Sequence, residues 1–213
     1  MAGSTTPAQL RIGVVLEAFL DRPLADVLAW LAQAAPEVTD IEAGAGRYAP
    51  HPHCDVAELL HSAQARAAWL DLIARHGLRL DALNAWGNPL HPDEDLARRH
   101  DEDLRNAIRL AVLLGADRVV AMAGCPAGAP GDGVPHFDRR WPEPADQMPW
   151  TFAVPGRGHD LAWWTGLVRA LAGSRAQVMS IEHEDPFVPA ETGVPEAARV
   201  LRAAIHAART VAA

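Results

Sequence analysis

The chain has 213 residues, of which 49% are apolar and 22% charged, within ordinary globular limits and long enough to bury one full core. A formal net charge of −8, with no dense Lys/Arg run, argues against a nucleic-acid or anionic-membrane partner, because phosphates are gripped by basic patches. Cys54 and Cys125 form no Cys-x-x-Cys pair, Met1 to Gln9 lacks a basic stretch followed by an apolar core, and no run is long enough to span a bilayer; a protein of the reducing cytoplasm is expected.

The first half alternates strand and helix signals. Arg11 to Leu16 (RIGVVL) reads as a strand, and Leu24, Val27, Leu28 and Leu31 then recur at helical spacing between Pro23 and Pro36, which suit a helix start and stop. Thr39 to Ala43 is a second, shorter strand. Asp55 is placed to cap one long helix whose apolar positions run from Val56 through Leu59, Leu60, Leu70 and Ile73 to a terminal Gly77. Leu78, Leu80 and Ala82 open a third strand. Asp93, Glu94 and Asp95 put negative charge at the start of the next helix, where the dipole favours it, with Leu104, Ile108, Ala111 and Val112 as its expected buried face before Gly115. Arg118 to Met122 is strand four. The repeat, roughly 35 residues per unit, is the rhythm of a parallel sheet with covering helices, close to that of a (β/α)₈ barrel.

The rhythm stops at Gly124 to Gly158, where seven prolines and several glycines leave neither period. Such a stretch inside a compact domain is either a functional loop or the mark of something absent. Order returns with a helix on Leu161, Trp164, Leu167, Val168 and Leu171, a strand at Gln177 to Ile181, and a helix on Ala197, Leu201, Ala204, Ile205 and Ala208. That gives five strands in a single α/β domain over residues 1–213, with a Pro/Gly-rich junction at 124–158. The fifth strand ends abruptly in Glu182-His183-Glu184-Asp185, and strand ends are where parallel α/β folds place their chemistry. The plainer alternative is an acidic, solvated turn.

Five motifs in order carry a resemblance: Gly87-Asn88-Pro89-Leu90-His91-Pro92, His100-Asp101-Glu102-Asp103-Leu104, Gly124-Cys125-Pro126, Gly156-Arg157-Gly158-His159-Asp160 and Ser180-Ile181-Glu182-His183-Glu184-Asp185. Together they resemble the sugar phosphate isomerase/epimerase family of xylose-isomerase-like TIM barrels. The resemblance implies eight strands, with a Glu, an Asp, a His and a final Glu as metal ligands at the ends of strands five to eight. Glu182 matches the last of these. The other three have no counterpart, which implies a missing segment between Trp141 and Pro149, on the order of a hundred residues by the usual barrel length. The fold implied is TIM-barrel-derived and incomplete, with five βα units in a parallel sheet ordered 8-1-2-3-4 in barrel terms. With two unpaired edges such a chain would associate, for example as a homo-oligomer through those edges, recruit a partner, or be marginally folded.

The function implied is metal-dependent isomerisation or epimerisation of a sugar or sugar phosphate by proton transfer next to a carbonyl. A divalent metal (Mn²⁺, Mg²⁺ or Zn²⁺) would hold the enediolate while carboxylates move the proton. Glu182 would be metal ligand and acid/base residue, with His183 beside it orienting it, contacting substrate, or simply packed and hydrogen-bonded. Glu42, His53, Asn88, His91 and His159 would line the substrate pocket. Each has a plainer reading: a loop acid for Glu42, a turn-forming Asn-Pro for Asn88, a connecting loop for His159. His51, His53 and Cys54 suit zinc by ligand type, against a loop with one substrate-facing His. Arg157 would meet a phosphate, Trp86 would stack on a sugar ring or fill the core, and Trp163-Trp164 read as core and interface. Two rivals remain: an internally deleted, inactive paralogue acting as a binding protein, and a metal-dependent phosphodiester hydrolase of the same fold, which the −8 charge disfavours.

Overall fold

A computed structural model describes residues 10–46, 51–127 and 151–210, so the junction between Trp141 and Pro149 lies outside the described residues. The elements run β1 (Arg11–Val15), a short 3-10 turn (Leu16–Phe19), α1 (Leu24–Ala34), β2 (Asp40–Gly46), α2 (Val56–His61), α3 (Ala63–Arg75), β3 (Arg79–Ala85), α4 (Glu94–Leu114), β4 (Arg118–Ala121), α5 (Leu161–Leu171), β5 (Val178–Ile181) and α6 (Ala190–Thr210). The strands form one parallel sheet in the order β4-β3-β2-β1-β5. This is the order expected for barrel strands four, three, two, one and eight, so the chain is an α/β protein with an incomplete TIM-barrel topology.

Two expectations from the sequence need correction. The single helix from Asp55 to Gly77 is two helices. Asp55 does cap the first, accepting the Glu58 N–H at 2.9 Å. Ser62, however, is extended (φ −117°, ψ 112°), and its hydroxyl accepts the Ala65 N–H at 3.0 Å. A serine oxygen that captures a backbone donor starts a new helix instead of continuing the old one. The second correction concerns α4. Its ends are as expected: Asp93 accepts the N–H groups of Leu96 and Asp95, the Leu96 bond above all holding its carboxyl below the ordinary value, and Gly115 closes the helix at φ 73°. Its buried stripe is His100, Ala107, Leu110, Ala111 and Leu114, whereas Ile108 and Val112 are 49% and 78% exposed. Two adjacent stripes of this helix are apolar enough to be core, and the sequence does not say which one is covered.

The described residues divide into two compact units. Unit 1 holds residues 10–41, 73–79 and 151–210; unit 2 holds 42–72 and 80–127. In unit 1, α6 packs on β1, β5 and α5. β1 and β5 pair in parallel from Arg11 opposite Val178 to Val14 opposite Ile181. Gly13 permits this approach, since a Cβ there would stand 2.8 Å from the Ser180 hydroxyl and 2.9 Å from a Val178 methyl. The core collects Ile12, Val14, Leu16, Phe19, Val27, Leu28, Leu31, Ile73 and Ile205, each contributing about 1.5–3 kcal/mol by leaving water. The predicted α6 stripe, Ala197, Leu201, Ala204, Ile205 and Ala208, is buried throughout.

Unit 2 packs α2 on α4 and α4 on β4. Its interior is smaller in grain: Ala43, Ala45, Ala82, Ala85, Ala107 and Ala111 surround Leu59, Leu83 and Leu110. Gly46 keeps to the same scale, because a Cβ there would lie 3.2 Å from Asp103 and 3.3 Å from Ala85. Polar groups fill much of the rest.

Candidate functional site

In unit 1 the end of β5 delivers four polar residues, and the structure sorts them. Glu182 leaves the strand directly after buried Ile181 and is exposed. His183 donates from Nε2 to the Val188 carbonyl at 2.8 Å, which fixes its tautomer. Its ring lies against Gly193 in the first turn of α6, with Nδ1 2.7 Å from where a Cβ would stand. Asp185 accepts the N–H groups of Phe187 at 2.9 Å and Val154 at 3.2 Å. His183 and Asp185 thus shape the β5–α6 loop, and Glu182 and Glu184 are the exposed carboxylates.

The Gly156–His159 segment is also in unit 1. Arg157 places Nη2 at 2.8 Å and Nε at 3.2 Å from one oxygen of Glu196, a surface ion pair of small energetic weight. His159 is exposed and stacks on Trp163, with ring centroids 4.1 Å apart and planes 10° from parallel. Trp163 in turn meets Trp164 edge-on at 5.0 Å.

Unit 2 contains the other predicted residues. Glu42 and His53 are buried, and the His53 carbonyl accepts the Trp69 indole N–H at 2.8 Å. The His51-x-His53-Cys54 run closes as a turn: the Cys54 N–H donates to the His51 carbonyl at 3.2 Å, and Cys54 is fully buried. Among the described residues no three His, Cys, Asp or Glu side chains gather as a metal-ligand set, so neither the H-x-H-C run nor Glu182 is part of one there.

Asn88, fully buried, is a loop staple. Its amide nitrogen donates to the Cys125 carbonyl at 2.7 Å, while its side-chain oxygen accepts the N–H groups of Cys125 at 2.8 Å and Leu90 at 3.1 Å. Its own backbone N–H donates to His100 Nδ1 at 2.9 Å. The carboxamide therefore ties the loop after β3 to the loop after β4. His91, half-buried, accepts the Asp93 N–H at 3.0 Å through Nδ1 and so orders the entry to α4.

Sequence reasoning missed Asn84. It sits on β3 opposite Val120, is 1% exposed, and neither its side-chain oxygen nor its nitrogen has a hydrogen-bond partner. A buried, unmet carboxamide costs stability unless a ligand or water completes it. The available signal was an Asn between the apolar Leu83 and Ala85 in a predicted strand. Unit 2 also has a cleft of about 680 Å³ between α2 and α4, lined by His51, Cys54, Asp55, His61, Glu102 and Asp103 among others. None of the seven residues singled out as site residues lines it.

No family model matches the chain. It is 33% identical over 128 residues to the uncharacterized protein YfiH of Bacillus subtilis (strain 168), a match that takes in 60% of this chain and 40% of that protein. The chain thus spans less than half the length of the curated relative it matches. Among solved structures it is similar to a xylose isomerase domain-containing protein from Salmonella typhimurium LT2, with a TM-score of 0.34 and 14% identity over 60% of this chain and 40% of that one.

Proposed function

We propose that this chain derives from the sugar isomerase/epimerase type of barrel and that Glu182 is its remaining acid/base carboxylate, acting on a carbon next to a carbonyl in a sugar or sugar phosphate. The observation that carries this reading is the position of Glu182. It is an exposed carboxylate at the C-terminal end of a parallel strand, held in place by a loop whose neighbouring His183 and Asp185 are pinned by backbone hydrogen bonds. A carboxylate so placed takes the proton from the hydroxyl-bearing carbon, whose electron pair forms an enediol, and returns it to the former carbonyl carbon while the hydroxyl proton passes to the former carbonyl oxygen. In relatives of this kind a divalent metal stabilises the enediolate. The described residues do not assemble a set of ligands for it.

A second reading, a binding protein without turnover, is favoured by the same loops. Asn88 and His183, expected to meet substrate, are engaged in holding backbone. One experiment separates the two. The chain, supplied with Mn²⁺, is incubated with aldoses and ketoses in deuterated water, and solvent label at the carbon next to the carbonyl is followed by NMR. Exchange above the buffer rate that disappears in Glu182→Gln supports proton transfer by Glu182. Exchange that survives the substitution removes Glu182 from the chemistry, and no exchange at all favours the binding protein.

A further inference from the structure

The cleft of about 680 Å³ in unit 2 has a chemistry of its own. One wall is α2 with the turn before it, carrying His51, Asp55 and His61; the other is α4, carrying Glu102, Asp103 and Asn106. Its volume falls within the roughly 300–1,000 Å³ of small-molecule sites. All the described residues that line it belong to unit 2.

Three carboxylates face this space, and none of them is ion-paired with the described residues. Asp55 accepts the Glu58 N–H. Glu102 and Asp103 have no hydrogen-bond partner, although Asp103 is half-buried and backed by Gly46. The arginines of α4 serve elsewhere: Arg98 pairs with Asp95, Arg99 donates to the Asp95 carbonyl at 3.3 Å, Arg105 pairs with Asp101 at 2.7 Å, and Arg109 donates to Asn106 Oδ1 at 3.2 Å. Arg66 donates to the Leu59 and Leu60 carbonyls. The imidazoles supply a separate feature. His51 Nδ1 donates to the Cys54 carbonyl at 3.3 Å and His61 Nδ1 to the Ala57 carbonyl at 2.7 Å, so in each neutral ring Nε2 is an acceptor, and neither Nε2 is engaged by the described residues. The cleft thus offers negative charge and lone pairs together, and apolar walls strengthen the field between them.

We infer that this cleft binds a small aliphatic diamine, with its ammonium groups on the carboxylates of the two walls. An ammonium has three donors and no acceptor, which matches a lining of carboxylates and imidazole lone pairs. Val56, Ala57 and Leu60 supply the apolar surface that methylenes need. A compact metal ion fits less well, because it needs converging ligands and among the described residues no three His, Cys, Asp or Glu side chains converge. The chain contains no lysine, so no side chain of a second copy supplies an alkylammonium group. The site is separate from the carboxylate chemistry at Glu182 and stands or falls without it.

The test is calorimetric titration of the full chain at neutral pH and constant ionic strength, with 1,4-diaminobutane, 1-aminobutane, acetyl-lysine amide and Mg²⁺ as separate probes. One equivalent of the diamine should bind saturably, about two- to fivefold more tightly than the monoamine, the worth of one exposed ion pair. Glu102→Gln, at an exposed position of α4, should weaken the diamine by a similar factor. Ala57→Asp, at an exposed position in the first turn of α2 where the dipole favours an acid, should tighten it about two- to threefold, a gain that misfolding cannot imitate. No saturable heat at millimolar diamine, equal affinity for diamine and monoamine, or indifference to both substitutions overturns the assignment. Displacement of the diamine by equimolar Mg²⁺ reduces the cleft to general counterion attraction and overturns it too. Tighter binding of acetyl-lysine amide than of the diamine also overturns it, in favour of a lysine on a protein partner.

Discussion

The two units are built on different principles. Of the twelve largest fully buried side chains among the described residues, ten lie in unit 1 and only Leu83 and Leu110 in unit 2, so branched aliphatic volume holds the first and not the second. The balance of buried polar groups is reversed: Glu42, His53, Asp81, Asn84, Asn88 and His100 in unit 2, against Asp40 and Thr165 in unit 1. Apolar burial is non-directional and tolerates small rearrangements, whereas a hydrogen bond is worth little net and much when broken. Unit 1 is therefore sensitive to lost volume. Unit 2 is sensitive to lost geometry.

This contrast can be broken by substitution, starting with the largest effect. Ile205→Ala empties a site 1% exposed beneath α6 and should cost about 2–5 kcal/mol in urea unfolding, with the denaturant slope unchanged; a loss under about 1 kcal/mol would show that unit 1 does not rest on its aliphatic core. Asn88→Ala leaves the Cys125 and Leu90 groups unmet and should cost about 1–3 kcal/mol. Amide hydrogen exchange should then speed up across residues 80–127 and stay as it was across 151–210. Equal acceleration in both stretches would mean that the units open together and that the contrast has no dynamic meaning. The smallest effect is expected at Val112, 78% exposed on α4: Val112→Ser should move stability by no more than about 0.5 kcal/mol. A larger loss would show that its side chain is covered in solution, by a second copy among other candidates.

Where local chemistry decides, the sequence was legible. Asp55, Asp93, Gly77 and Gly115 mark helix ends by their own side chains or their positive φ, and the strand order followed once the strands were matched to barrel positions. The break at Ser62 inside the expected long helix was not legible because a serine within an apolar helical period can either ride on the helix or cap a new one, and only the competition for the Ala65 N–H settles it. The α4 face was misread because coverage is a tertiary property that Ile108 and Val112 do not carry. The candidate site shows the same limit. Residue type brought His183 and Asn88 to notice, but a histidine that donates to a carbonyl and an asparagine that staples two loops look in sequence like residues that would meet a ligand.

The pairing of β1 with β5 also governs the order of events during synthesis. Arg11 waits for Val178, a separation of 167 positions, before its strand gains this neighbour. Closing a loop of that length carries an entropy cost that grows only slowly with length, but the contact is among the least local a chain of this size can make, and such contacts slow folding. At about 5–20 residues per second, β1 is without β5 for many seconds while the intervening chain is made. For that interval the edge of β1 that β5 will pair is an open template, and α6, which packs on β1, follows β5 in the chain. A nascent chain of this kind is a natural client for chaperones, and slower translation would lengthen its exposure more than any single substitution in the finished core.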